Sequence, residues 1–241
     1  MQAKAAVSIV CKTPGVGGGK SRLRPLLGAE TVAQLSASFI RDIAEALEAV
    51  PAGLGRRCYA IFSPAGSEEV LRPLLPPGWA LVFHQAATIG EVLHASTTAF
   101  LADGHDCALV VNADSPTLPT SIIEQAIIAL REPGDRLVLG PASDGGYYLI
   151  GLKRSHPRLF QDIAWSTPEV LTGTLDRAAD IGLPVTLLPV WYDIDDADTF
   201  ALLEAEIAGR PLPFTASGLA GGPARHTRAL LAQRALGLPA I

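Results

Sequence analysis

The sequence contains few cysteines and histidines, and neither residue type has the spacing of a zinc or catalytic site. Cys11, Cys58 and Cys107 each lie inside an apolar, strand-like run and form no C-x-x-C pair. Such positions are typical of buried, reduced thiols rather than of a disulfide framework. The five histidines are scattered along the chain, without the spacing of metal ligands. The composition therefore predicts a cytoplasmic protein with no thiolate or imidazole centre.

The sequence also lacks an excess of positive charge and a long hydrophobic segment. Its 19 Lys and Arg against 24 Asp and Glu give a formal net charge of −5. No basic stripe is interleaved with aromatic residues, which argues against a nucleic-acid partner. The apolar run Ala5–Cys11 is too short for a membrane span or a signal peptide. With 241 residues, 49% of them hydrophobic, the chain can bury a substantial core.

Short β-rich runs alternate with apolar-periodic segments, and this alternation predicts the fold class. Seven runs have the composition of strands: Ala5–Cys11, Arg57–Ser63, Ala80–Phe83, Ala108–Asn112, Leu137–Pro141, Tyr147–Leu152 and Val185–Val190. Six further segments have helical periodicity: Thr31–Val50, Glu68–Leu75, Ile89–Leu101, Ser121–Leu130, Pro168–Ile181 and Ala197–Ile207. We therefore expect an α/β protein with a three-layer α/β/α architecture and a mostly parallel sheet. In such sheets, ligands bind beyond the carboxyl ends of the strands.

A glycine-rich loop follows the first predicted strand directly. The segment from residue 12 to residue 23 reads KTPGVGGGKSRL, and it combines bare backbone N–H groups with Lys12, Lys20 and Arg22. Backbone amides and fixed cations together suit a phosphate chain. The loop therefore predicts a nucleotide site.

Two other interpretations of this loop stay open. Its end, Gly19-Lys20-Ser21, agrees with the P-loop of phosphotransferases, but Pro14 stands where that motif has its first glycine. A Walker B look-alike is present at residues 109–114, whereas Pro25 and Gly28 interrupt the helix that should follow a P-loop. The second interpretation is an ordinary flexible turn whose cations are solvated.

Acidic residues cluster at the ends of two predicted strands. Asp114 follows the strand at residues 108–112, and the last strand exits into residues 191–198, which read WYDIDDAD. Carboxylates from two strand ends that face a cationic loop suit a Mg²⁺ ion bridging a di- or triphosphate, because hard cations take oxygen ligands. We therefore expect Asp114 and Asp195 to bind the metal. We expect Asp196 and Asp198 to cap and charge the helix that follows.

Six blocks of sequence resemble one bacterial family, in the same order. The blocks are KxPxxGxxKSRL at 12–23, Gln85 with Gly90-Glu91, DSPxLP at 114–119, GPAxDGGYY at 140–148, WST at 165–167 and DID at 193–195. Over about residues 5–207 the chain resembles the radical-SAM/selenodomain-associated transferases, which are glycosyltransferase-A-like members of the nucleotide-diphospho-sugar transferase superfamily. It is also similar to small guanylyltransferases such as the phospholactate enzyme of deazaflavin biosynthesis. The resemblance implies a Rossmann-like glycosyltransferase-A fold, and the superfamily includes both sugar and nucleotidyl transferases.

The resemblance implies roles for individual residues. The phosphates of the nucleotide would be held by Lys12, Lys20 and Arg22. Further nucleotide-binding positions would be Pro14, Gly17, Gln85, Gly90 and Asn112. Asp114 and Asp195 match the two metal-ligand positions, and the acceptor side would be formed by Asp144, Gly145, Gly146, Tyr147 and Trp165. The catalytic residues would be Lys20, Arg22 and Asp144. The run Asp144-Gly145-Gly146 also has the signature of a hairpin turn, and the two roles are compatible.

Together these features predict a Mg²⁺- or Mn²⁺-dependent transferase with a nucleoside-phosphate donor. The first expectation is glycosyl transfer from a nucleotide sugar to a small-molecule acceptor, and the alternative is nucleotidyl transfer from a nucleoside triphosphate with release of pyrophosphate. A non-catalytic nucleotide-binding protein is the third interpretation, because Gly15, Gly18 and Gly19 replace the larger residues of the related loops.

Beyond the resembling segment, the chain continues in a different character. Residues 1–208 are expected to form the transferase-like domain and residues 209–241 a C-terminal extension. The extension begins Pro- and Gly-rich and ends in a short helix at Arg225–Leu236. We expect it either to dock as an arm, on the domain or on a second copy of the chain in a homodimer, or to be a loosely ordered terminus.

Overall fold

The computed structural model describes residues 4–214 and 219–236, which form seven strands and eight α-helices. The strands are β1 (Ala5–Lys12), β2 (Arg56–Ser63), β3 (Ala80–Phe83), β4 (Cys107–Asn112), β5 (Leu137–Pro141), β6 (Tyr147–Leu152) and β7 (Val185–Leu187). The helices are α1 (Arg24–Leu27), α2 (Ala29–Glu48), α3 (Glu68–Leu71), α4 (Ile89–Ala102), α5 (Thr120–Arg131), α6 (Val170–Asp180), α7 (Ala197–Ile207) and α8 (Arg225–Ala235).

Two departures from the predicted elements have causes in proline. The last strand was expected to reach Val190, but β7 ends at Leu187, and Pro189 has no N–H to continue the ladder. The helix expected at Glu68–Leu75 is α only to Leu71 and then tightens into a 3₁₀ turn at Arg72–Leu74 around Pro73. The other predicted strands and helices lie within two residues of their expected bounds.

One seven-stranded sheet organises the chain, in the order β3-β2-β1-β4-β6-β5-β7. All neighbouring strands are parallel except β6, which runs antiparallel to both β4 and β5. The central strand β1 pairs along its length with β2 and from residue 5 to residue 10 with β4. The carboxyl ends of β1, β2 and β4 therefore lie along the same edge of the sheet.

Both faces of this sheet are covered by helices. Alternate residues of β1 point to opposite faces, as the pleat of a strand requires. Val7 and Ile9 belong to a hydrophobic cluster that includes α2, α5 and α7, whereas Ala6 belongs to a second cluster that includes α4 and α6. The predicted three-layer α/β/α architecture with a mostly parallel sheet is confirmed.

A buried carboxylate joins α8 to α2. Asp42, on α2, accepts hydrogen bonds from the backbone N–H groups of His226 and Thr227, each 2.9 Å long, and from the Thr227 hydroxyl at 2.6 Å. These amides belong to the first turn of α8, which has no side-chain cap of its own. The division of the chain at residue 208 stays a prediction, and residues 215–218 and 237–241 of the expected extension lie outside the described residues.

No helix in the described part of the chain has both the length and the apolar character needed to cross a membrane.

Candidate active site

Four segments converge at one edge of the sheet, beyond the carboxyl ends of β1 and β4. The backbone N–H of Ile194 donates to the carbonyl of Asp114 at 3.0 Å, which joins the segment after β7 to the loop after β4. The N–H of Ser143 donates to the carbonyl of Trp191 at 2.9 Å, which joins the same segment to the turn between β5 and β6. The glycine-rich loop after β1 reaches this junction through Lys20.

The first half of the glycine-rich loop is a tight turn. The N–H of Thr13 donates to the carbonyl of Ser63 at 2.8 Å, and the N–H of Gly17 donates back to the carbonyl of Thr13 at 2.8 Å. A Cβ atom at Gly17 would lie 2.9 Å from the Cβ of Lys12, so the turn excludes any larger residue there. The geometry of the turn requires glycine at position 17, whether or not a nucleotide binds.

The loop ends in a residue with left-handed backbone geometry. Lys20 has φ 53° and ψ 41°, which is uncommon for a non-glycine residue. It precedes a 3₁₀ turn at Ser21–Leu23 and the four-residue helix α1, not the long helix that follows a P-loop. The P-loop interpretation is therefore wrong for this chain.

The Lys20 ammonium is directed toward the acidic residues. Its Nζ atom lies 2.8 Å from Oδ1 of Asp114 and 3.5 Å from Oδ1 of Asp195, and it donates to the carbonyl of Ile194 at 2.6 Å. It also lies 5.2 Å from the ring centroid of Phe39. The Lys20 side chain is only 4% exposed, whereas those of Asp114 and Asp195 are 43% and 47% exposed. The ammonium thus lies behind two carboxylates that face the solvent.

Two carboxylates at this junction, Asp193 and Asp195, have a raised pKa. Asp193 has its pKa raised to about 7, first by burial and then by the negative charges of Asp144, Asp195 and Asp114. The pKa of Asp195 is also raised, chiefly by burial, while the neighbouring Lys20 opposes the shift. The negative charges of Asp114 and Asp144 contribute to both shifts, so the four carboxylates form one electrostatic cluster.

Asp193 is the member of this cluster to which the sequence alone assigned no role. Its position two residues before the predicted metal ligand Asp195 was the available signal. Its neighbour Asp196 does what was expected. It accepts from the N–H of Thr199 at 3.0 Å and caps α7 in a capping box, so that prediction is confirmed.

The turn that carries Asp144 is fixed by two hydrogen bonds and by a close backbone contact. The Asp144 Oδ1 atom accepts from the N–H of Gly146 at 2.9 Å, and the carbonyl of Gly145 accepts from the N–H of Leu171 at 2.9 Å. Gly145 has φ 91°, and a Cβ there would lie 2.2 Å from the carbonyl oxygen of Pro168. The turn joins the antiparallel strands β5 and β6, so the hairpin interpretation is confirmed. Asp144 itself is exposed.

Gly90 and Trp165 are brought into direct contact. A Cβ on Gly90 would lie 2.1 Å from the Trp165 indole, so the ring rests on the first turn of α4 where only glycine leaves room. Tyr147 is on the same side of the sheet as Trp165, and its hydroxyl is buried. Tyr148, on the other face, donates its hydroxyl to the carbonyl of Pro189 at 2.7 Å.

Other predicted nucleotide-binding residues are not drawn into the carboxylate cluster. Lys12 and Arg22 are exposed on the glycine-rich loop, and Pro14 is half-buried within it. Gln85 is exposed two residues beyond β3, at the edge of the sheet. Asn112 ends β4, and its Oδ1 atom accepts from the Ser115 hydroxyl at 2.9 Å.

The residues at the junction fit a hard divalent cation. Asp114 and Asp195 are half-exposed carboxylates from different loops, and both lie close to the Lys20 ammonium. Both contacts with Lys20 use Oδ1, which leaves Oδ2 of each carboxylate outside the ion pair. Carboxylate oxygens are the ligands that Mg²⁺ and Mn²⁺ prefer.

A second group of residues with metal-ligand atoms lies elsewhere, between α2 and α8. The ligand atoms of Asp42, Glu45 and His226 lie within 4.8 Å of one another. Both oxygens of Asp42 already accept hydrogen bonds from α8, and Glu45 pairs with His226 Nε2 at 3.0 Å. These contacts explain the group as the joint between two helices.

Comparison with known protein families gives a match for part of the chain. Residues 55–167 match the model of a family described as an uncharacterized protein conserved in bacteria, DUF2064. That segment includes Asp114 and Asp144 but not Lys20 or Asp195. A search of curated proteins finds no match.

Solved structures extend the likeness to nearly the whole chain. A protein of Desulfovibrio desulfuricans G20, provisionally named a nucleotide-diphospho-sugar transferase, superposes with a TM-score of 0.80 at 25% identity. The match covers 96% of this chain and 95% of that one. The fold is the glycosyltransferase-A type. The predicted fold is thereby confirmed, while the radical-SAM/selenodomain association stays a prediction.

Two more distant structures share the fold. The synthetase of CMP-2-keto-3-deoxy-manno-octonic acid, solved with CTP, has a TM-score of 0.56 at 14% identity, over 86% of this chain and 99% of that one. Glucosyl-3-phosphoglycerate synthase of Mycobacterium tuberculosis, solved with Mn²⁺, UDP and its product, has a TM-score of 0.52 at 12% identity, over 99% and 81%. One neighbour was thus solved with a nucleoside triphosphate, and the other with a metal ion and a nucleoside diphosphate.

Proposed function

We propose that this protein is a divalent-metal-dependent transferase that uses a nucleotide-sugar donor and a small hydroxyl-bearing acceptor. The observation that supports this most is the placement of Asp114 and Asp195, from two different loops, around one cationic position at the carboxyl edge of a glycosyltransferase-A sheet. The structurally similar protein provisionally named a nucleotide-diphospho-sugar transferase agrees with it.

The donor's diphosphate would bind between the glycine-rich loop and the carboxylates. Lys12 and Arg22 are exposed there and can pair with phosphate oxygens, and Asn112 lies at the end of β4 close to the same loop. Asp114 and Asp195 would hold Mg²⁺ or Mn²⁺. When bound, that ion neutralises the charge that develops on the departing nucleoside diphosphate.

The acceptor would approach from the hairpin turn that carries Asp144. One oxygen of Asp144 is tied to the N–H of Gly146, which fixes the carboxylate's orientation. Its other oxygen can accept the hydrogen bond of the acceptor hydroxyl and take its proton as the new glycosidic bond forms. The bond between the anomeric carbon and the diphosphate breaks, and the nucleoside diphosphate leaves with the electron pair. Trp165, which lies on Gly90, would form a wall of this side of the cleft.

A second candidate is nucleotidyl transfer to an acceptor phosphate or acid. The exposed cations Lys12 and Arg22 favour it, because a triphosphate brings more charge to the loop than a diphosphate sugar does. Against it, the third cation of the loop, Lys20, is already paired with carboxylates. A protein that binds nucleotide without catalysis is the remaining alternative.

Product analysis separates these functions. The protein is incubated with Mn²⁺ and either nucleotide sugars or nucleoside triphosphates, together with a mixture of small hydroxy acids and phosphates. Release of nucleoside diphosphate from a nucleotide sugar supports the proposal. Release of pyrophosphate from a triphosphate would replace it with nucleotidyl transfer, and binding without either release would leave a non-catalytic protein. Localisation in the cytoplasm and a homodimeric state stay predictions.

A further inference from the structure

The Lys20 ammonium is buried and already paired with protein oxygens, unlike a lysine that is free to bind phosphate. Its ammonium has three oxygen partners, on Asp114, Asp195 and Ile194, and lies over the ring of Phe39. Its side chain is 4% exposed. Lys20 has a left-handed backbone where the glycine-rich loop ends, and its side chain is directed inward. Together these contacts form a binding site for one positive charge beside the expected metal ligands.

We propose that Lys20 is the resident counter-ion of the Asp114–Asp195 pair and makes divalent-metal binding depend on the phosphate chain of the nucleotide. The inference rests on the proposed function, and it deepens that function by coupling metal binding to nucleotide binding at the same site. Lys20 acts here as a positioning residue and gate, not as the phosphate-binding residue that the resemblance implies.

The coupling between Lys20 and the metal is electrostatic. A divalent ion on Asp114 and Asp195 would lie within a few ångströms of the ammonium, and that repulsion weakens metal binding by roughly tenfold or more even at a high effective dielectric constant. A diphosphate bound at the loop places negative charge near both the divalent ion and the Lys20 ammonium, and this charge offsets their repulsion. Metal and nucleotide should therefore bind with positive coupling, and the coupling is reciprocal by linkage.

The test measures Mn²⁺ affinity from the electron paramagnetic resonance signal of free Mn²⁺, first with no nucleotide. Lys20→Met and Lys20→Gln remove the charge, and Lys20→Arg keeps it. Lys12→Met is the matched control, since it removes a cation from the same loop with no contact to the carboxylates. We expect the Met and Gln variants to bind Mn²⁺ at least about tenfold more tightly than wild type, and the Arg and Lys12 variants to stay within about twofold of it.

The second arm repeats the titration with UDP, CDP or GDP, against a protein-free blank for chelation by the nucleotide. Wild type should gain Mn²⁺ affinity with one of them, and the Lys20→Met variant should gain less. This arm uses wild type, so it remains informative if a charge-removing variant unfolds, which thermal unfolding would show.

The outcomes distinguish the proposed role of Lys20 from the proposed transferase function. If the Met and Gln variants bind Mn²⁺ no more tightly than wild type while a nucleotide still tightens binding to wild type, the gate is overturned and the proposed function stands. If the variants bind more tightly but no nucleotide changes Mn²⁺ binding to wild type, the counter-ion role stands, and the coupling is overturned together with the proposed function.

Discussion

The ammonium of Lys20 lies 2.8 Å from Oδ1 of Asp114, although the two residues are 94 positions apart and belong to different loops. The contact joins the glycine-rich loop after β1 to the carboxylate at the end of β4. It turns a lysine expected to bind phosphate into the partner of an expected metal ligand. The account of this site therefore depends on charge balance among a few residues, and each part of that balance can be tested.

Exposed cations of the glycine-rich loop should contribute to nucleotide affinity and little to stability. We predict that Lys12→Ala and Arg22→Ala each weaken nucleotide binding by about three- to tenfold at low salt and less at high salt, because screening weakens contacts between exposed charges. Isothermal titration calorimetry at two salt concentrations measures this. Arg154→Ala is the control, because that 78% exposed arginine follows the antiparallel strand β6 and so lies at the opposite edge of the sheet. An equal loss in all three variants would indicate only a net-charge effect.

Gly90 should be required by the Trp165 indole and not by the helix. Gly90→Ala is expected to destabilise the protein by about 1–3 kcal/mol, because the new Cβ would enter space that the ring occupies. With Trp165→Ala as background, the same change should be neutral or stabilising by up to about 1 kcal/mol, since alanine is the better helix former. Urea unfolding of the four proteins of this cycle measures the difference. A similar cost in both backgrounds would show that the ring is not the cause.

Asp193 should make the fold less stable as pH rises. Its pKa is raised from 3.8 to about 7, so the folded state binds more protons than the unfolded state between these values, and the free energy of unfolding falls through this range. Asp193→Asn removes the ionisable carboxyl group and with it the cost of ionising that group in the folded state. In metal-free buffer it should unfold roughly 2–4 °C above wild type at pH 8, for a gain of about 1 kcal/mol after solvent screening. The gap should shrink toward pH 5.

The control for that measurement is Asp198→Asn, which neutralises an exposed carboxylate in the first turn of α7. It should show no gap that widens with pH. A difference between Asp193→Asn and wild type that is the same at pH 5 and pH 8 would contradict the clustered-carboxylate account.

Asp42 should hold α8 in place. Asp42→Ala leaves two helix amides and the Thr227 hydroxyl without their buried acceptor, and we expect a loss of about 2–3 kcal/mol. Glu45→Ala removes the half-exposed partner of His226 and should cost less than about 1 kcal/mol. Urea unfolding gives the two values, and limited proteolysis shows whether α8 becomes the first point of cleavage. Equal small losses would mean that α8 is held by other contacts.

The fold was accessible from the sequence because its signals are local. Alternating apolar runs, a glycine-rich turn and proline stops predicted β3, β5 and β6 to the residue, and the capping role of Asp196 followed from its place before α7. The elements that differ, the shortened β7 and the 3₁₀ turn at Arg72–Leu74, depend on prolines whose effect on the ladder or helix is decided by tertiary context.

The site was accessible only in part, because charge pairing is not local. The sequence predicts that Asp114 and Asp195 meet beyond the strand ends, and Lys20 brings them around one position. It does not reveal that Lys20 turns inward, since this depends on a left-handed backbone angle and on Phe39 beneath it. Nor does it reveal the packing of Trp165 on Gly90, which is set by the meeting of two distant segments.

Asp114 and Asp195 are proposed to form a metal-dependent nucleotide site. A thermal-shift panel of nucleoside diphosphates, nucleotide sugars and triphosphates, with and without Mn²⁺, tests this on wild type, Asp114→Asn and Asp195→Asn. A ligand at about a hundredfold its Kd stabilises by about 2.7 kcal/mol. We predict a Mn²⁺-dependent rise in Tm with a nucleoside diphosphate or its sugar in wild type, lost in both variants. A rise that persists in both variants, or that needs no metal, would contradict the account.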